Sequence, residues 1–290
     1  MRRAAPVLAL VALPLVGCTQ AVVFDGYTYD LDPCGPQPPS CASSRDAYFV
    51  LRDLSIPPAG SGRTRDGFDL DATDDAICGQ ADFVAPDGRE GIDNQLAPLL
   101  ELYEGVAMVD VSAERRAAHL RGQDLVVIGL RGVDDLVDDD CVEVVVRGAR
   151  VPAGVPLESL DADGDGLLDP GLAFDLGPPS LSDATACVQD GVLHARFADT
   201  LTQLPGFVAE VRSTRARARL ALAPDGRSAT GLVGGGIPLD DLEGALPTEI
   251  VEFFRGRADL RPSTREARDC DAISWGLRFD LVTAERAGAF

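Results

Sequence analysis

The sequence contains no lysine, and all 26 of its basic residues are arginine. This excludes chemistry that depends on a lysine amine, such as Schiff-base catalysis or phosphate binding by a phosphate-loop lysine. The chain also has only two histidines, His119 and His194, a single tryptophan, Trp275, and 6% aromatic residues. Motifs of the form HExxH or GxSxG do not occur, and we expect the histidines at surface or core positions. The sequence therefore does not indicate a familiar catalytic arrangement.

Acidic residues are abundant, since 47 aspartates and glutamates give a formal net charge of −21. A surface this negative repels nucleic acid, so no nucleic-acid partner is expected. Most of these residues are aspartate, whose short side chain suits turns and cation-binding loops better than helices. Paired carboxylates for glycoside hydrolysis stay open as an alternative, because candidates are so numerous.

The first residues have the layout of a signal peptide, in which Arg2 and Arg3 precede an uncharged stretch over residues 4–18. The stretch is shorter than the roughly 20 apolar residues of a membrane-spanning helix. It ends in LVGC at residues 15–18, which resembles the lipobox of bacterial lipoproteins. The resemblance implies a signal peptide over residues 1–17, lipid on Cys18 and attachment to a membrane. Thr19, where an aspartate would favour the inner membrane, implies the outer membrane.

Residues 18–44 are rich in proline and are expected to form a lipid-anchored, semi-rigid tether. Residues 45–290 then form a β-rich globular domain. An even number of cysteines in an exported chain indicates disulfides, and no CxxC spacing supports metal ligation. The disulfide candidates are Cys34, Cys41, Cys78, Cys141, Cys187 and Cys270. We expect the pairs Cys34–Cys41, Cys141–Cys187 and Cys78–Cys270.

Strand patterns dominate the domain. They cover residues 47–54, 125–130, 141–146, 192–197, 215–222, 229–233 and 276–282. Helical patterns cover residues 98–108, 112–122 and 239–255, with Ser112 as a candidate cap. Short strands separated by long loops predict a mainly β fold, a β-sandwich or jelly-roll-like core with a few helical insertions.

The clearest chemical motif is DADGDGLLD at residues 161–169. Calcium prefers six to eight oxygen ligands, and a tight loop supplies them from alternate positions around a glycine. The motif resembles the calcium loops of EF-hands, dockerins and thrombospondin type 3 repeats. The expected metal ligands are Asp161, Asp163, Asp165, Leu167 through its carbonyl, Asp169 and Asp175. Leu172 stands where an EF-hand has a bidentate glutamate, so we do not expect a helix–loop–helix sensor.

A second acidic stretch runs from residue 82 to residue 94 and contains the only asparagine of the chain. Asp82, Asp87, Asp93 and Asn94 are the candidates here for a second cation site. The spacing fits no strict ligand template, so helix capping and turn formation are an equal alternative. A further acidic run, with the sequence DGFDLD, lies just upstream at residues 66–71.

As a whole, the chain is similar to uncharacterised lipoproteins of GC-rich Gram-negative bacteria that combine a lipobox with loops of the form GFDLD…PDG…GIDNQ. This resemblance implies a location and no activity. Two hypotheses follow. The favoured one is a non-catalytic outer-envelope lipoprotein, a structural or ligand-binding module stabilised by calcium, with an unidentified protein or glycan ligand. The alternative is a secreted, calcium-stabilised hydrolase or carbohydrate-active domain, which would need an aromatic-lined cleft and two facing carboxylates.

Overall fold

The computed structural model describes residues 34–35, 45–71, 78–197, 200–203, 210–243, 246–260 and 270–290. The predicted signal peptide and most of the predicted tether, including Cys18 and Cys41, lie outside these residues.

Nine strands make up most of the described chain. They are β1 (Asp46–Ser55), β2 (Val126–Arg131), β3 (Asp139–Arg150), β4 (Leu172–Gln189), β5 (Val192–Arg196), β6 (Thr200–Gln203), β7 (Glu210–Leu222), β8 (Ser228–Pro238) and β9 (Ala272–Ala289). The helices are α1 (Leu96–Ala107), α2 (Val111–Leu120), α3 (Leu239–Glu243) and α4 (Thr248–Arg255), with a short 3-10 helix at Leu157–Leu160. The prediction of a mainly β fold is confirmed.

The strands form one sheet that closes on itself. Its order is β5-β4-β3-β2-β1-β9-β8-β7, and β5 also pairs with β7, which completes an antiparallel barrel of eight strands. β6 extends the edge of β7, and the first part of β4 runs parallel to the end of β9. A sandwich or jelly roll made of two packed sheets is not confirmed, because the β5–β7 pairing joins the ends of a single sheet.

The alternation of side chains along the strands separates the inside of the barrel from its outside. On β7, for example, Ala216, Ala218 and Leu220 point inward and are buried. The arginines between them point outward, as the period of two in a strand requires. The inward residues of all eight strands form the main apolar cluster.

Two further apolar clusters lie against the barrel. Helices α1, α3 and α4 pack against β8 and β9 and contribute Leu100, Leu242 and Phe254 to one cluster. The first part of β4 covers the outer face of β1 and β2, where Phe174 is fully buried. None of the helices in the described chain is both long and apolar enough to cross a membrane.

Two disulfides join distant parts of the described chain. Cys78 is bonded to Cys270, with a Cα–Cα distance of 5.6 Å, which confirms that predicted pair. Cys34 is bonded to Cys187 of β4, with a Cα–Cα distance of 5.3 Å. The predicted pairs Cys34–Cys41 and Cys141–Cys187 are therefore wrong, because Cys34 of one pair is bonded to Cys187 of the other, across 153 residues of chain. Cys141 is also disulfide-bonded.

Three elements differ from the predictions in detail. β4 was not predicted, because Gly177, Pro178 and Pro179 interrupt its pattern and bulges shift its register with β3. The predicted helix over residues 239–255 contains two helices, α3 and α4. The cap of α2 is Asp110 in place of Ser112, and its carboxylate accepts the Ala113 N–H at 2.8 Å.

Candidate functional site

The predicted calcium loop lies on the outer surface of the barrel, between two buried leucines. Leu160 and Leu168 are 1% and 0% exposed and belong to the cluster under β4. The Asp169 N–H donates to the Leu160 carbonyl at 2.9 Å, which closes the loop at its base. Gly164 and Gly166 both have positive φ, so the loop turns where glycine is favoured. The loop is therefore held at both ends while its tip faces solvent.

Three carboxylates converge at this tip. Asp161, Asp163 and Asp165 each offer an oxygen within 4.8 Å of the others, and we call these three residues the exposed cluster. The N–H of Gly166 donates to Asp161 at 3.0 Å, and a buried Oδ1 of Asp161 has no hydrogen-bond partner. Arg52 of β1 pairs with Asp165 at 2.6 Å. The exposed cluster can hold a cation, and Arg52 already supplies one positive charge beside it.

The other predicted ligands of this loop have different roles in the fold. The Asp169 carboxylate accepts the Ala162 N–H at 2.7 Å across the loop. Asp175 lies inside β4, paired in register with Arg150 of β3 and Gly288 of β9. Neither belongs to the group formed by the exposed cluster.

A long loop segment packs against the barrel on its β8–β9 side. We call its described parts, residues 56–71 and 78–95, the acidic flap. Short bridges join Thr64 to Val84 and Phe68 to Asp93 within it. The Cys78–Cys270 disulfide connects the flap to the chain just before β9. The flap is thus attached to the barrel covalently and by its own backbone hydrogen bonds.

Asn94 fixes the end of the flap on β9. Its Nδ2 donates to the Asp66 carbonyl at 2.9 Å and to the Gly276 carbonyl at 3.1 Å. A Cβ at Gly276 would lie 2.9 Å from this Nδ2, so only glycine permits the approach. Because both neighbours are carbonyl oxygens, the amide orientation is determined, and Oδ1 is buried without a hydrogen-bond partner. Asn94 therefore has a structural role, with one amide oxygen unused.

Three carboxylates of the flap form a second group. Asp69, Asp71 and Asp93 each offer an oxygen within 4.8 Å of the others, and we call these three residues the buried cluster. Asp71 is 6% exposed and Asp93 is 1% exposed. The Leu70 N–H donates to Asp93 Oδ2 at 2.6 Å, whereas Asp93 Oδ1 is buried and has no hydrogen-bond partner. At an effective dielectric of 20, two negative charges this close repel by about 3 kcal/mol.

The electrostatic surroundings make full ionisation of the buried cluster costly. Burial raises the pKa of Asp93 well above its ordinary value, and the charges of Asp71, Asp259 and Asp82 raise it further. Asp259 precedes β9, is 4% exposed, and has its pKa raised by burial to about 7. Its carboxylate accepts the N–H and the hydroxyl of Ser274. The residues around Asp93 thus add negative charge to an already acidic site.

The residues of the predicted second cation site are divided by the structure. Asp93 joins the buried cluster, while Asp82 and Asp87 lie in neither of the carboxylate groups found among the described residues. Asp87 is exposed in a turn, where the Arg89 backbone N–H donates to it at 3.2 Å and holds its pKa below the usual value. Asp69 and Asp71, from the DGFDLD run, take part instead.

The barrel encloses a cavity of about 210 Å³. All eight strands of the barrel contribute to its lining, and every lining side chain among the described residues is aliphatic or aromatic. Small residues such as Ala195, Ala216 and Ala218 do not fill the interior, which leaves this cavity, and the Trp275 ring borders it. Trp275 is 5% exposed, and its Nε1 donates to the Ser213 hydroxyl at 2.8 Å, so the polar atom of the ring is satisfied.

The two ends of this cavity differ. At one end the β2–β3 connection packs Leu136 against the barrel cluster, and the Gly191 N–H donates to the Val137 carbonyl at 2.8 Å. At the other end Val126, Val146 and Leu181 line the cavity but are only partly buried. The cavity therefore opens to solvent on the side of β2, β3 and β4. Sequence reasoning missed it, although the alternation of alanine and arginine along β7 marks the inward face.

Comparison with protein-family models, with curated proteins and with solved structures finds no match.

Proposed function

We propose that the protein is an outer-membrane lipoprotein, anchored by lipid on Cys18, whose barrel binds a small apolar ligand. The observation that carries this proposal is the wholly apolar cavity inside the barrel. Eight-stranded barrels are just wide enough to be filled by side chains or to hold one small ligand. A cavity of about 150 Å³ lined by apolar side chains is sufficient to bind benzene, so this one has room for a comparable molecule.

The chemistry of the lining selects the ligand class. No lining residue carries a titratable side chain or an unsatisfied hydrogen-bonding group directed at the cavity, so a charged or strongly hydrated ligand would lose its hydration without compensation. A hydrocarbon group loses nothing on entry and gains contacts with the walls. The ligand is therefore apolar, such as an alkyl chain or an aromatic ring.

The same lining favours the non-catalytic hypothesis over the hydrolase. Hydrolysis of a glycoside needs two carboxylates on opposite sides of the bond, and the part of the cavity lining that the structure describes contains none. His119 does not supply a base there, because it is 1% exposed within α2, and burial lowers its pKa. The protein would hold its ligand without changing it.

Calcium at the exposed cluster would stabilise the surface of this module. The cation would bind the carboxylates of Asp161, Asp163 and Asp165, which already converge at a preformed turn. Oxygen-rich loops of this kind bind calcium at dissociation constants of roughly 10⁻⁴–10⁻³ M in extracellular modules. The part of the tether that precedes Cys34 would connect the module to the membrane, since Cys34 itself is bonded to Cys187 of the barrel.

Binding of a fluorescent apolar probe, N-phenyl-1-naphthylamine, to the purified full-length protein tests the proposal. Ala218→Phe places a ring in the cavity, so we expect the affinity for the probe to fall about tenfold or more, equivalent to at least about 1.4 kcal/mol. The matched control is Ala221→Phe on the same strand, whose side chain is exposed outside the barrel. Equal probe binding by both variants would show that the probe does not enter the barrel.

A further inference from the structure

The buried cluster brings carboxylates close together away from solvent. Three carboxylates are held together by the backbone of the flap, and two of them are almost completely removed from solvent. The charges that act most strongly on Asp93 are those of other carboxylates, namely Asp71, Asp259 and Asp82.

Asp93 supplies a second and independent observation. Its Oδ2 is satisfied by the Leu70 N–H, but its Oδ1 is buried and accepts no hydrogen bond. An unsatisfied carboxylate oxygen in the interior is expensive, and native structures retain such an oxygen where an ion or a proton is bound. Asp93 is also the most deeply buried of the three aspartates.

We infer that Asp69, Asp71 and Asp93 bind a hard divalent cation, calcium, between the acidic flap and the barrel. All three donors are carboxylates, the ligands that calcium prefers, and each offers an oxygen within 4.8 Å of the others. A divalent cation would give Asp93 Oδ1 a partner and offset the repulsion between the carboxylates. This site is separate from the exposed cluster, which lies in the loop between β3 and β4 and pairs with Arg52.

The position of the site explains what the cation would do. Phe68 and Leu70, on either side of Asp69, pack with Leu232 of β8 and Leu260 in a small apolar cluster. Asp93 lies at the other end of the flap, next to the Asn94 contacts with β9. A cation bound by both stretches would join them and strengthen the docking of the flap on β8 and β9, which the Cys78–Cys270 disulfide and the Asn94 contacts already hold.

Thermal unfolding of the purified full-length protein in excess calcium chloride and in EDTA tests this inference. At a hundredfold excess over the dissociation constant, one site raises the melting temperature by about 5 °C. Asp93→Asn keeps an oxygen for the Leu70 N–H but removes one charge. We therefore expect this variant to lose the part of the calcium-induced rise in melting temperature that comes from the buried cluster. In EDTA the same variant should melt higher than the wild type, because one buried like charge is gone.

Three further variants make the test specific. Asp71→Asn repeats it at a second ligand, in case Asp93→Asn fails to fold. Asp87→Asn is the matched control, an exposed aspartate of the same flap, and should keep the full shift. Asp163→Asn removes only the exposed cluster, so its effect reports on the calcium loop separately. The inference is overturned if Asp93→Asn and Asp71→Asn both retain the calcium shift of Asp87→Asn, since the carboxylates then share a proton instead.

Discussion

The exposed and the buried clusters each bring three aspartate oxygens within 4.8 Å of one another, but they differ in what surrounds those oxygens. In the exposed cluster, backbone N–H groups of the loop donate to the carboxylates, and the Arg52 guanidinium adds a positive charge. In the buried cluster, Asp93 accepts one backbone N–H and otherwise experiences the charge of other carboxylates. The two clusters therefore differ in burial and in the charges nearest to them, although Asp161 and Asp93 each keep a buried Oδ1 without a hydrogen-bond partner.

This difference separates two properties that a motif search combines. A calcium-loop motif describes how a short segment can place oxygens around a centre, and that depends on local spacing and glycines. The need for a cation depends on how deeply the carboxylates are buried, and burial comes from the tertiary structure. The exposed cluster has the first property, and the buried cluster has the second.

The largest expected contrast is in how stability depends on pH in the presence of EDTA. Because burial raises the pKa of Asp259 to about 7, from 3.8, folding takes up a proton between these values. The free energy of unfolding should therefore fall as the pH rises through this window, by up to about 4 kcal/mol, and level off above it. Asp93, whose pKa burial also raises, acts in the same direction.

Urea unfolding of Asp259→Asn across this pH range measures the effect. The variant cannot ionise at this position. Most of the fall of up to about 4 kcal/mol in the free energy of unfolding should therefore be missing in the variant. Asp163→Asn, in the exposed cluster, is the matched control and should follow the wild-type profile, since its side chain is exposed to solvent. A wild-type slope in Asp259→Asn would mean that this carboxylate does not titrate in the window.

A smaller effect is expected from the glycine beneath Asn94. Gly276→Ala places a methyl group 2.9 Å from Asn94 Nδ2, and this amide must then move away from the Asp66 and Gly276 carbonyls. We expect a loss of about 2 kcal/mol in the free energy of unfolding, measured with urea, because overpacking and broken buried hydrogen bonds combine. Calcium binding at the neighbouring buried cluster should weaken as well, while the exposed cluster is unaffected.

Gly148→Ala is the matched control for this substitution. Gly148 also lies in a strand, but an added Cβ would meet nothing within 4 Å, so the change should be close to neutral. If both alanine variants are equally stable, the close approach of Asn94 to β9 does not hold the flap in place.

Much of the fold could be predicted because the strands carry local patterns. The valine-rich stretch that became β3 and the alternating stretch of β7 were both identified by their side chains. β4 was missed because Pro178 and Pro179 have no place in a regular strand pattern. Closure of the barrel depends on the pairing of β5 with β7. The Cys34–Cys187 bond joins two residues that are 153 positions apart in the sequence. Neither of these non-local contacts has a local signal.

The candidate sites divide in the same way. The loop at residues 161–169 could be identified because all of its carboxylates lie within one short segment. The buried cluster could not, because Asp69 and Asp71 meet Asp93 only after the flap folds back through the Phe68–Asp93 bridge. The effect of the Asp259 charge on the pKa of Asp93 could not be predicted either, because it depends on where the chain before β9 lies in the fold. Sequence reasoning grouped Asp93 with Asp82 and Asp87, whereas the carboxylates that lie within 4.8 Å of it among the described residues are Asp69 and Asp71.

The smallest expected effect concerns the arginine beside the exposed cluster. Arg52 and Asp165 form a pair that is partly exposed, with 25% and 41% of the side chains accessible, so Arg52→Gln should reduce stability in EDTA by less than about 1 kcal/mol. The same change removes a positive charge next to the cation position, and we expect the calcium affinity of this cluster to rise about fivefold. Calorimetric calcium titration of the full-length protein measures both the affinity and the number of sites.

Arg89→Gln is the matched control, because it breaks a similar exposed pair with Asp87 far from the loop motif and should leave calcium binding unchanged. A lower affinity in Arg52→Gln would mean that Arg52 supports the loop geometry more than it competes with the cation, and the contrast between the two clusters would then lie in their burial alone.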